Sequence, residues 1–467
     1  MRLFCSTAAV LAVLVGTSAP LACQADDGWR AGVATTVITP EHPMWMSGYA
    51  SRDHAAEGTL HDLRAKALVL EDPTGHQGVL VTLDLIGIDR PTSLDICQQL
   101  HDRFGFERDQ IVLATSHTHT GPAIGENLSS MFFFEDDERA KVQDYTNHLK
   151  GLVVDVVGLA LKNRKPAVIH QGMGTAGFAV NRRNNREADV PQLREAGELK
   201  GPVDHELPVL TVRDADGHLD AIVFGYACHA TVLSFYQWSG DWPGFAQLEI
   251  ESRHPGTVAM FWAGCGADQN PLPRRTIDRA EDYGRQIAEG IDAVLSGEMT
   301  EVQGPLKTSY TEIDLAFDRL PTQEQLQSDT ESDNRYVASR ARQLLDQWKQ
   351  DGGLSQTYPY PVQVWGLGDD VTFVTLGGEV VVDFSIRIKQ ELEAERTWVA
   401  GYANDVMAYI PSERVLTEGG YEGGGAMVYY GLPTAWSPDV EEHIIRTVHE
   451  LVDALSTHSQ SSSNSRQ

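Results

Sequence analysis

Residues 110–122 read QIVLATSHTHTGP, and this stretch decides the fold. Positions 110–114 form a short, nearly continuous apolar run, the pattern of a strand covered on both faces. The chain then passes directly into Ser116-His117-Thr118-His119-Thr120-Gly121-Pro122, a polar loop closed by turn residues. A buried strand emptying into reactive side chains is the signature of an open α/β sheet, whose sites gather at the carboxyl ends of strands.

Working outward, the runs 65–70, 78–83, 207–212, 221–226, 258–262, 371–376 and 397–400 have the same strand character. Apolar residues at helical spacing fall in 136–161, 277–295, 323–350, 385–395 and 440–455. Strands alternating with helices predict an α/β fold, with a mixed α+β sandwich as the variant. We find neither a low-complexity linker nor an internal repeat between residues 29 and 455. The expected organisation is one large catalytic domain over residues 26–455, its central sheets flanked by helices, followed by a Ser-rich disordered tail at 456–467.

Four more predicted strands end as the first does. Positions 221–226 lead into Cys228-His229, and 258–262 into Gly264-Cys265-Gly266-Ala267-Asp268-Gln269-Asn270-Pro271. Positions 371–376 lead into Gly377-Gly378-Glu379, and 397–400 into Gly401-Tyr402-Ala403-Asn404-Asp405 and then Tyr409. Five such loops can share one pocket. On an extended chain His117 and His119 face the same side. Either both bind one metal, or one binds metal and the other substrate; a surface or capping pair is the competing reading. His229 alone reads equally well as a core histidine. Glu379, placed before the apolar 380–382, needs a partner if buried, and a cation is one such partner. A helix-terminal carboxylate is the alternative. Two His and one Glu form a zinc ligand set, which leaves one position for water or substrate.

The 467 residues carry a net charge of −29, which disfavours nucleic acid and anionic membrane surfaces as partners. Hydrophobic content of 42% and charged content of 22% are those of an ordinary globular protein. Residues 1–25 carry Arg2, the apolar run 8–15 and small residues up to Ala25, and read as an export signal too short to span a membrane. Periplasmic or secreted location follows, with lipid attachment at Cys23 as the lesser reading because Pro20 spoils that pattern. No later stretch reads as a transmembrane segment. Outside the signal stand Cys97, Cys228 and Cys265. They are read either as buried free thiols or as one Cys228–Cys265 bridge. Oligomeric state is not encoded in any pattern we recognise.

In this order and spacing the motifs become recognisable. Residues 32–40 with Met46-Ser47-Gly48-Tyr49-Ala50, Ser116–Pro122, Asn181-Arg182, Cys228-His229, Asp268–Pro271, Gly378-Glu379, and Tyr409 with Tyr421 resemble the catalytic domain of the neutral/alkaline ceramidases. The resemblance implies zinc as cofactor, held by His117, His229, Glu379 and Tyr409, the last a ligand that residue chemistry alone does not suggest. It implies that His119, Arg182 and Tyr421 face the substrate, Arg182 and Tyr421 as donors to a carbonyl or oxyanion.

The sequence departs from that family in two places. The family's nucleophile is a Ser in Asp-x-Ser-Pro, whereas Asp268-Gln269-Asn270-Pro271 puts Asn270 there. The family's C-terminal immunoglobulin-like domain is not expected in this sequence. The resulting expectation is an exported zinc hydrolase that cuts an amide or ester of a small-molecule or lipid-like substrate with activated water. His119 or Asp268 would move the proton, and Asn270 would orient the substrate. Two alternatives stand beside it. One is a hydrophilic substrate such as a glycan or lactone, with Asp268, Gln269 and Asn270 as polar contacts and Trp242 in Asp241-Trp242-Pro243-Gly244 as an aromatic platform or a packing residue. The other is a non-catalytic protein that binds metal and ligand.

Overall fold

The computed structural model of the chain describes residues 28–464. The export signal at 1–25, with Cys23, lies outside the described residues. The larger sheet runs Val258–Ala263, Leu219–Tyr226, Glu206–Asp214, Lys165–Thr175, Trp29–Val37, Arg64–Glu71, Gln77–Leu83 and Ile111–Thr115, with Thr300–Glu301 paired off that path. A second sheet runs Leu306–Ala316, Thr357–Leu367, Val371–Leu376 and Thr397–Ala400.

Side-chain alternation builds the layers. Along Arg64–Glu71 and Gln77–Leu83, Val69, Val79 and Val81 pack with Leu149 and Val153 of the helix Asp136–Lys162. Their neighbours Leu68, Leu70 and Leu80 point the other way, into a core shared with Trp365, Leu367, Phe373 and Trp398 of the second sheet. Period-two alternation thus places helices on one face and a sheet on the other. The helices Asp241–Arg253 and Ile277–Ser296 pack through Trp242, Ile250 and Ile287 against Phe224 and Phe261. Val382–Glu391 and Val440–Asn464 cover the second sheet through Phe384, Ile388, Ile444 and Val448. The architecture is a mixed α/β sandwich of two sheets between helices, as the sequence predicts.

Only the outermost pair at each edge of the large sheet is parallel, and the inner pairs are antiparallel. Counting ladders, the two edge pairs run in opposite senses. A twist of about 20–25° per strand accumulates across the sheet to most of a half-turn. The sheet also curls until its edge strand Val258–Ala263 contacts Ile111–Thr115 at the other edge, which brings both sets of carboxyl ends to one place: Ala114 bridges Ala403, and Gly264 bridges Ala400. Further bridges tie Thr118 to Ala230 and Glu379 to Tyr409. Five loops therefore meet where the two sheets join.

Some expectations change. The helix expected over 323–350 is two helices, Gln323–Asp329 and Arg335–Asp351. Between them Asn334 accepts from the Tyr336 and Val337 amides and starts the second. The helix expected at 385–395 is Val382–Glu391. The last helix, Val440–Asn464, continues into the segment that composition reads as a disordered tail. Cys228 and Cys265 are both buried free thiols, so no bridge joins them.

Candidate metal centre

His117 is buried and has a left-handed backbone, with φ of 57°. The convergence of His117 and His119 therefore comes from a turn after the strand Ile111–Thr115, not from strand alternation. Their Nε2 atoms stand 3.2 Å apart. His229 enters from the neighbouring loop, and the Nε2 atoms of His117, His119 and His229 form a group able to hold a metal ion. Glu379 adds its Oε2, 3.1 Å from His117 Nε2 and 3.2 Å from His229 Nε2. Tyr409 Oη lies 3.4 Å from His229 Nε2.

The protons in this cluster are set from behind. His117 Nδ1 donates to the Ile86 carbonyl at 2.6 Å, and His229 Nδ1 donates to the Gly266 carbonyl at 2.7 Å. A carbonyl only accepts, so each ring keeps its proton on Nδ1 and, when neutral, points a bare lone pair inward. Burial, aided by Arg182, pulls the His229 pKa down to about 4. Glu379 faces the Nε2 atoms of both His117 and His229. Its Oε2 is nonetheless buried without a hydrogen bond, while Tyr430 Oη donates to its Oε1. The lone pairs of His117, His229 and Glu379 converge, with the Tyr409 hydroxyl at 3.4 Å and Arg182 Nη1 at 3.5 Å reaching only the His229 edge; imidazole nitrogen with carboxylate oxygen suits zinc.

His119 differs. No carbonyl accepts from its Nδ1, which is buried without a partner. Burial, then the neighbouring His117 and His229, keep its pKa well below normal. Its Nε2 faces the bare Nε2 of His117 at 3.2 Å and can donate to it, which leaves Nδ1 an open acceptor and suits a group that moves protons. Gly48, with φ of 100°, makes room for its ring: a Cβ there would stand 2.6 Å from His119 Nδ1.

Above the cluster is a cavity of about 690 Å³ lined in part by His119, Arg182, His229, Asn270, Tyr409 and Tyr421. Arg182 is held by Glu422 at 2.7 Å and by the Asp268 carbonyl, which accepts its backbone amide at 2.8 Å. Its guanidinium reaches Tyr409 Oη at 3.1 Å and Asn270 Oδ1 at 3.4 Å. Tyr421 is 45% exposed and stands edge-on to Tyr409.

A model of the neutral/alkaline non-lysosomal ceramidase N-terminal region matches residues 29–268. The chain belongs to the neutral/alkaline ceramidase family. Neutral ceramidase A of Dictyostelium discoideum is 25% identical over 269 residues, which are 53% of this chain and 37% of that protein. Neutral ceramidase 2 of Arabidopsis thaliana is 32% identical over 265 residues, 54% of this chain and 33% of the relative. The match thus spans about a third of the length of these ceramidases. The crystal structure of neutral ceramidase from Pseudomonas aeruginosa shares the fold, with a TM-score of 0.71 at 19% identity over 92% of this chain and 75% of that one.

The structure places two further residues of the sequence reading. The Asp268 carboxylate is fully buried and accepts from the Val382 amide at 2.9 Å and Asn181 Nδ2 at 3.0 Å. It ties loops together behind the cavity wall that Asn270 lines. Trp242 is buried to 0% exposure and donates from Nε1 to the His229 carbonyl at 2.9 Å, so it is a packing residue and not a sugar platform. Sequence reasoning missed Tyr430, whose place in Tyr429-Tyr430 carries no motif, and it gave Tyr49 no role although the ring lies 4.9 Å from that of His119.

Proposed function

We propose that this chain is an exported zinc-dependent hydrolase that cleaves an amide or ester bond with water as the nucleophile. The observation that carries this reading is the convergence of His117 Nε2, His229 Nε2 and Glu379 Oε2 beneath an open cavity. Membership of the ceramidase family supports it, as do relatives named neutral ceramidase.

His117, His229, Glu379 and Tyr409 would hold the ion. A zinc ion, when bound, acts as a Lewis acid and brings the pKa of a water it holds from about 16 to about 7. His119, neutral and with an unclaimed Nδ1, takes the proton released on attack and returns it to the leaving group. Arg182 and Tyr421 donate to the carbonyl oxygen as charge develops on it. Asn270 Oδ1 accepts from Arg182, which keeps that guanidinium turned into the cavity. An amide at this position is no nucleophile, so the family's serine-dependent route is closed and water must attack directly.

The test is a panel of ceramides and soluble amides, esters, lactones and glycans, offered to the full chain as purified, after chelation, and after zinc is restored. Turnover of an amide or ester, lost on chelation and regained with zinc, supports the reading. A zinc-loaded protein that cleaves nothing in the panel contradicts it and leaves the non-catalytic binding role.

A further inference from the structure

The chain carries a net charge of −29, yet the cavity over the metal centre is cationic. Five arginines line it against three glutamates, and Leu272 is the one aliphatic side chain among the described lining residues. Most of these arginines are already paired. Arg182 and Arg183 share Glu422, Arg183 also meets Glu418, and Arg274 grips Glu187. Arg186 is largely solvated, with Asp189 at 3.8 Å.

Arg275 is different. Among the described residues it makes no ion pair. Its Nη1 meets only the Tyr49 hydroxyl, at 3.4 Å, and its guanidinium carbon lies 5.6 Å from the centre of that ring. Its backbone is strained, with φ of 94°, and is held there by its amide donating to the Val232 carbonyl at 2.8 Å. A strained, side-chain-bearing residue fixed at a cavity wall is a common way to aim a recognition group. The Tyr49 ring under Arg275 also touches His119, so this cation stands one aromatic ring from the reacting centre.

We propose that the substrate of this site is short, hydrophilic and anionic: an amide or ester bearing a carboxylate or phosphate, which Arg275 binds beside the Tyr49 hydroxyl. This rests on the hydrolase reading above. The apolar part of the wall is mostly tyrosine ring, interleaved with arginines, and a long acyl chain would strip water from those guanidinium groups without replacing it. An anion gains charge-assisted hydrogen bonds from a planar fork that lacks a carboxylate partner. Within a strongly negative molecule, a positive cavity also draws anions to itself.

The experiment compares nitrophenyl esters of matched length on the zinc-loaded full chain: a neutral butyrate, a carboxylate-ended glutarate and a phosphonate-ended analogue, with palmitate as the long apolar arm. The charged-to-neutral ratio of kcat/KM should be about tenfold or more, carried mainly by KM. It should fall towards one in Arg275→Gln and be partly kept in Arg275→Lys. A general loss of folding or turnover would not move this ratio, and the two charged arms tell carboxylate from phosphate. A ratio near one in the unaltered protein, a preference for palmitate, or a ratio untouched by Arg275→Gln overturns the proposal. If no ester is cleaved, the hydrolase reading is left to the amide arm of the panel above, and titration calorimetry with glutarate and inorganic phosphate decides the anion site separately. Binding that Arg275→Gln abolishes supports the site; absent or unchanged binding overturns it.

Discussion

The Nε2 of His229 faces the Oε2 of Glu379 at 3.2 Å, and neither atom carries a proton. Two lone pairs at this distance repel each other. Glu379→Gln replaces one acceptor oxygen with an amide that can donate to His229. The metal-free protein should gain stability by about 1 kcal/mol, while zinc affinity falls. Thermal melts with and without zinc check both signs together. A variant less stable without metal would show that the pair was never in repulsion.

Tyr430, half-buried, holds the other Glu379 oxygen. Groups behind a ligand fix its direction, and their loss costs roughly 10–100-fold in metal affinity. Tyr430→Phe should weaken zinc binding by that order while leaving the fold intact, as competition with a chelator would read out.

Gly48 touches no ligand of the metal site as proposed, yet it sets where His119 sits. Gly48→Ala would push a methyl into that ring and strain a backbone at φ of 100°. Displacing a proton-transfer group by about 1 Å costs on the order of a hundredfold in rate. The variant should keep its zinc and lose turnover on that scale. Loss of zinc instead would place His119 among the ligands.

Asp241 gives a pH signature away from the metal. Burial raises its pKa to about 6, although the Val232, Leu233 and Trp242 amides all donate to it. The folded state therefore holds a proton that the unfolded chain has released. This contribution to stability is complete below about pH 4 and is lost as pH rises through about 6, a change of roughly 3 kcal/mol. Asp241→Asn should flatten this part of the stability curve in denaturant titrations from pH 4 to 7. A slope of the opposite sign in the unaltered protein, restricted to this residue by the variant, would refute the assignment.

Much of this was legible in the sequence, for physical reasons. The buried strands read as apolar runs because both of their faces are covered, by helices on one side and a sheet on the other. The loops read as reactive because each ends such a run. Leu306–Ala316 escaped because its side chains, as in Lys307, Thr308 and Glu312, are mostly half-buried and polar. The convergence itself was not legible: which strand ends meet depends on accumulated twist, and no local pattern records that. Tyr430 and Arg275 stayed hidden for the same reason. For Asp268, chain position says nothing of which way the side chain turns, and its hydrogen bonds to the Val382 amide and Asn181 were not legible.

The account rests on one metal ion between His117, His229 and Glu379. Its most direct test is elemental analysis of the full chain after purification without added metal, beside His117→Ala and His229→Ala. The account predicts about one zinc per chain in the unaltered protein and a loss of both zinc and hydrolysis in either variant. Protein that carries no zinc even after incubation with it, or variants that keep metal and turnover unchanged, would contradict it.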